Sequence, residues 1–253
     1  MCPICVKLKV PTTYWCCVAC PGNPAAWKRH ASLHKTVKAR QRANEEGGEW
    51  QRQSREAAEE EARLAAQSGD EYEGLLAESA RYSAKQDWRR AARACREAIA
   101  LRPDRPEAYF NLGASLCSSE HVVEAAQRFL EAKERYPVGS RPWGRATAAA
   151  FNKLAQEECA EVAKPEWWSD EGLKALSARV VRAAPDDVDA NKMRAYVLCG
   201  LTSDAWEVGP RSAAELKKAA THYERAAALQ PAPAMKAVLA EDAARCRSRA
   251  EAM

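Results

Sequence analysis

Glycine is scarce in this chain, with 11 residues in 253. They form neither G-x-G-x-x-G nor G-x4-G-K-[ST], so the two familiar backbone cradles for phosphate are missing. H-E-x-x-H and G-x-S-x-G are missing too, which excludes a zincin helix and a nucleophile elbow. The sequence therefore predicts no enzyme. Long apolar runs are also lacking. Mean hydropathy is −0.54, and no stretch approaches the ~20 apolar residues of a membrane-spanning helix. The N-terminus, MCPICVKLKVPTTYWCC, has no apolar core of the signal-peptide kind. The expectation is an intracellular protein, cytoplasmic or nuclear, with no membrane partner. Acid is absent from the first 44 residues, where Lys7, Lys9, Lys28, Arg29, Lys35, Lys38, Arg40 and Arg42 make a charge of +8. The whole chain carries +4, so the remaining 209 residues carry −4.

What is abundant is cysteine, ten in all. In a chain that is not secreted, that number points to thiols and metal rather than to a disulfide framework. Five of the ten lie at positions 2, 5, 16, 17 and 20, and two of the four histidines, His30 and His34, follow closely. Cys2 and Cys5 are spaced C-x2-C, as are Cys17 and Cys20, while Cys16 and Cys20 are C-x3-C. Short spacings of this kind let two sulfurs reach one tetrahedral ion. His30 and His34, four apart, share one face if helical. Seven soft or borderline donors in 33 residues predict one or two zinc ions in a closed structural site. The other cysteines (95, 117, 159, 199 and 246) fall in helical pattern and read as small buried hydrophobes. His121 and His222 have no paired ligand and read as structural or solvated.

Four segments follow. Residues 1–35 are a cysteine head, 36–70 a charged helical connector broken by Gly47-Gly48, 71–231 a repetitive body and 232–253 a capping helix. In the body, Leu75, Tyr109 and Trp143 recur at steps of 34, as do Ser79, Gly113 and Thr147. Ala91 and Ala125, Cys95 and Phe129, Ala98 and Ala132, and Pro103 and Pro137 keep the same step. On these residues the body resembles tetratricopeptide repeats, most closely in EAYFNLGASL...VVEAAQRFLEAKERYP. The resemblance implies an all-α solenoid of helix pairs, in which small residues let helices approach and large ones fill the gaps. About four units are expected. The third closes at Pro185, 14 residues late, and the excess is assigned to a lengthened first helix and the loop AKPEWWSD, with Ser169 as the next N-cap. The fourth closes at Pro231, 12 late, after a capping box at Ser212 and Glu215.

The run Tyr14-Trp15-Cys16-x3-Cys20, followed by Trp27-x2-His30-x3-His34, resembles the second half of a MYND-type zinc finger. The final ligand here is His34 where that family has cysteine, and its second C-x2-C pair is absent between Cys5 and Cys16. Two ligand sets stay open: Cys2, Cys5, Cys16 and Cys20, or Cys17, Cys20, His30 and His34.

Two functional classes remain. The first is a protein-interaction adaptor, its concave face holding a peptide and its finger engaging a second partner, as the resemblances imply. The second is a nucleic-acid-binding protein using the basic head. Four thiolates on one zinc ion carry a formal −2 that offsets part of that positive charge. Some tetratricopeptide proteins grip the C-terminal carboxylate of an acidic tail with polar side chains from successive first helices. Asn111, Arg141 and Arg145 match three of those places, while Leu76 and Ala80 stand where that family has lysine and asparagine. The expected peptide-binding residues are thus Asn111, Arg141 and Arg145.

Overall fold

The computed structural model describes residues 52–53, 55–60, 63–64, 67, 69–200 and 206–253. The chain divides into two units, Met1–Gln53 and Ser54–Met253. Within the second, every described element is helical: α1 (Glu71–Ala84), α2 (Trp88–Leu101), α3 (Pro106–Ser118), α4 (Val122–Arg135), α5 (Arg141–Leu154), a 3₁₀ turn (Glu157–Cys159), α6 (Asp170–Ala183), α7 (Val188–Cys199), α8 (Ala213–Leu229) and α9 (Pro233–Glu251). Each helix packs on the next in sequence, α1 also touches α3, and α5 also touches α7. The result is a linear stack of helix pairs.

The helix boundaries follow from local chemistry. Asp70, Asp87, Ser140, Ser169, Asp187 and Ser212 each accept a backbone N–H of the first turn with the side chain. At Ser212 the Glu215 carboxylate bonds back, completing the expected capping box. α7 ends at Gly200, whose φ of +62° is the left-handed cap that favours glycine. The apolar stripe of α2 is typical of the stack: Ala91, Ala92, Ala94, Cys95 and Ala98 are buried while Arg89, Arg90, Arg93 and Arg96 face outward.

The 34-residue columns are packing contacts. A Cβ on Gly113 would lie 2.8 Å from the ring of Phe129, so α3 and α4 approach as closely as glycine permits. One period earlier the same two columns hold Ser79 and Cys95, whose Oγ and Sγ are 2.9 Å apart. Tyr109 donates its hydroxyl to the Pro103 carbonyl at 3.0 Å. In the fourth pair Asn191 holds that place and donates Nδ2 to the Pro185 carbonyl at 2.9 Å.

The third pair corrects one expectation. α5 is not lengthened: it has 14 residues, as α1 does. Lys164 caps its C-terminal end by donating Nζ to the Leu154 carbonyl at 3.0 Å, and it also bonds the Cys159 carbonyl of the 3₁₀ turn at 2.5 Å. The ammonium satisfies the Leu154 carbonyl, one of the orphan acceptors of the last helical turn. All the excess therefore lies between α5 and α6, where it delivers Trp167 and Trp168. The α7–α8 connector delivers Trp206. Phe151, Trp168, Tyr196 and Trp206 form one aromatic cluster with centroid separations of 5.4 to 6.0 Å.

The α7–α8 connector is anchored by Arg211, 8% exposed. Its Nη1 bonds Asp170 Oδ2 and the Gly209 carbonyl, both at 2.9 Å, and its Nη2 bonds Asp170 Oδ1 and the Val197 carbonyl. The Arg211 guanidinium holds the Asp170 carboxyl well down, to about 2. α9 buries Leu239, Ala243, Cys246 and Ala250 in the core it shares with α7 and α8, while Met235 and Val238 stay exposed.

Candidate functional site

A groove in this stack measures about 580 Å³, within the range of ligand pockets. It is built mainly by the first helices of three successive pairs. α3 contributes Phe110, Ala114, Cys117 and Ser118; α5 contributes Arg145, Ala149, Asn152 and Lys153; α7 contributes Asp189, Lys192 and Tyr196. The first two sets are spaced i, i+4, i+7, i+8 and lie 35 positions apart, so each is one face of its helix, repeated. Phe129 and Phe151 add rings from the adjoining core. The groove thus has an aromatic floor and a charged rim.

The rim is already ordered. Arg145 stacks over the Phe110 ring, its Cζ 5.2 Å from the centroid, and donates Nε to Asp187 Oδ2 at 3.2 Å. Asp187 is itself fixed, because its Oδ1 caps α7 through the Ala190 N–H at 2.9 Å. Asn152 donates Nδ2 to Asp189 Oδ1 at 3.0 Å, and Lys192 reaches the same oxygen at 3.3 Å. Among the groove-lining residues Arg145, Lys153 and Lys192 stand against the single carboxylate of Asp189. With Asp187 counted beside Arg145, one positive charge is left over for an acidic guest.

Of the three expected peptide-binding residues, Arg145 lines the groove. Arg141 is exposed at the first position of α5, one turn before it. Asn111 is half-buried on α3 beside Phe110, outside the groove lining. Sequence reasoning missed Phe110, Asn152, Lys153, Lys192 and Tyr196. For Phe110, Lys192 and Tyr196 the available signal was the face one position beyond the Tyr109 and Gly113 columns, with Asn191 in the Tyr109 place; Asn152 and Lys153 gave none.

The seven expected zinc ligands, Cys2, Cys5, Cys16, Cys17, Cys20, His30 and His34, lie outside the described residues. Among the described residues no group of three or more His, Cys, Asp or Glu could hold a metal, and no helix is long and apolar enough to cross a membrane. His121 bonds the Ser119 carbonyl through Nδ1 at 2.8 Å. His222 faces Asn191 Oδ1 through Nδ1 at 3.0 Å, and burial, with Arg194 and Arg225 nearby, lowers its pKa. No family model matches the chain, and no curated protein matches it either.

Proposed function

We propose that this chain is a non-catalytic interaction adaptor whose helical body, of tetratricopeptide type, holds a peptide segment in the α3–α5–α7 groove. The observation that carries this reading is the groove itself, aromatic below and cationic at its rim, built from one repeated helix face. Aromatic side chains offer contact area at low conformational cost, and the rim sets polarity. The favoured guest is a segment with an acidic C-terminal end. Its carboxylate replaces Asp187 on the Arg145 guanidinium, with Arg141 one turn away as a second donor. The test is a selection of peptides with free C-termini against the whole chain, followed by titration of the selected sequence. Amidating the peptide, or Arg145→Ala, is expected to weaken binding about tenfold or more. Equal affinities in all three titrations would refute the carboxylate reading.

The head completes the adaptor. Thiolate and imidazole donors suit zinc, and the seven candidates are enough for one ion and close to enough for two. A zinc-built head is a second docking module, and its folding depends on metal by about 10 kcal/mol or more. Elemental analysis of protein purified without chelator is expected to give one to two zinc per chain; none would contradict this. The second reading, nucleic-acid binding, is favoured by the +8 charge of residues 1–44. Salt separates the two: phosphate contacts weaken steeply between about 50 and 200 mM, and a largely aromatic peptide contact does so far less.

A further inference from the structure

The described cysteines do not all share one setting. Cys95 meets Ser79, Cys117 lines the groove, and Cys159 packs with Ala126 and Leu154. Cys199 and Cys246 meet each other, Sγ to Sγ, at 3.0 Å. Cys199 is the last residue of α7, Cys246 lies in α9, and the whole of α8 runs between them. Both residues are fully buried.

Two donors converge on the Cys199 sulfur. The Cys246 thiol donates to it. Arg249, one turn further along α9, brings Nη1 to 3.4 Å from the same sulfur while bonding the Cys199 carbonyl at 3.0 Å. A guanidinium beside a sulfur favours the thiolate. The bond to Cys199, and then burial, push the Cys246 thiol up, so Cys246 is the partner that keeps its proton. The pair is thus differentiated into a nucleophile and a resolving thiol.

We propose that Cys199 and Cys246 form a redox modification site, in which hydrogen peroxide converts the two thiols to a disulfide that staples α9 to α7. The Cys199 thiolate attacks one peroxide oxygen, the O–O bond breaks, and the departing hydroxide takes up a proton to become water. Cys199 is then a sulfenic acid. The Cys246 sulfur, shedding its proton, attacks the Cys199 sulfur; the S–O bond breaks and a second water leaves. Two thiols are oxidised and one peroxide is reduced to two waters. The sulfurs close by about 1 Å to disulfide distance. Both sulfurs are buried, so peroxide reaches them when α9 opens locally from α7 and α8. The product encloses α8 in a covalent loop and fixes the capping helix.

The experiment uses the full chain, reduced, freed of reductant and treated with hydrogen peroxide in about equimolar amount. Remaining thiols are alkylated, and the protein is digested without reduction for mass spectrometry. The expected product is a peptide pair linked through Cys199 and Cys246. Amide exchange of the oxidised protein should show α9 opening at least about tenfold less often. Cys246→Ala should abolish the linkage and leave Cys199 as a sulfenic acid that dimedone traps. Full alkylation of both residues in the wild type while other cysteines oxidise would overturn the proposal. So would linkage of Cys199 to a different cysteine. Both outcomes are read on the wild type, so the proposal stays testable even if the variant fails to fold.

Discussion

Replacing Gly113 with alanine sets two effects of similar size against each other. In a helix interior alanine is favoured over glycine by about 1 kcal/mol. The new Cβ, however, would lie 2.8 Å from two ring carbons of Phe129, which is 4% exposed and packed against Phe110 with centroids 5.4 Å apart and the rings tilted by 59°. Overpacking of that kind costs about 1–3 kcal/mol. Gly113→Ala should therefore destabilise by about 0–2 kcal/mol despite its better propensity. The background decides the sign. In a Phe129→Leu protein the ring is gone, the clash disappears, and the same substitution should stabilise by about 0.5–1 kcal/mol. The assay is a double-mutant cycle in chemical denaturation, with a coupling energy of about 0.5–3 kcal/mol expected. Additivity within about 0.5 kcal/mol would refute the idea that these two columns form one complementary pair. The first helix pair already carries an alternative solution in Ser79 and Cys95, 2.9 Å apart.

Two further perturbations read the buried charges. Asp170→Asn leaves the Arg211 guanidinium, whose side chain is 3% exposed, without its carboxylate, so a loss of about 3–5 kcal/mol is expected in equilibrium unfolding. Because the folded-state pKa of Asp170, about 2, lies below its ordinary 3.8, the stabilisation it provides is complete above pH ~4 and lost as pH falls through 2. An acid-unfolding curve unchanged by Asp170→Asn would contradict the ion pair's role. His222 also has a lowered folded pKa, caused first by burial and then by Arg194 and Arg225. Its contribution is complete above the ordinary pKa of 6.5 and is lost as pH falls through the lower folded value. Stability measured from about pH 7 to 5 should fall in the wild type and change less in His222→Gln; parallel curves would exclude His222 as the cause.

The regular part of the stack was legible because packing repeats there. Gly113 and Phe129 keep the spacing of Ser79 and Cys95 because the same two helix positions meet in both pairs. Caps at Ser169 and Ser212 were legible because a capping side chain acts within three residues. The third pair misled because its solution is not local. Lys164, ten residues beyond Leu154, caps the end of α5, and Trp168 and Trp206, 38 positions apart, meet only in the folded chain. The groove was half visible for a related reason. Arg145 stood out as a charge at a family position, whereas Phe110 and Tyr196 look like core residues until the helices are stacked.

The central claim, that the α3–α5–α7 face is a peptide groove, is tested most directly by hydrogen exchange on the full chain with and without the selected free-acid peptide. The account predicts slower exchange in the three helices that carry Phe110, Arg145 and Tyr196, with the slowing reduced in an Arg145→Ala protein at the same peptide concentration. Peptide-dependent slowing confined to α2, α9 or the N-terminal head, with α3, α5 and α7 unchanged, would contradict it.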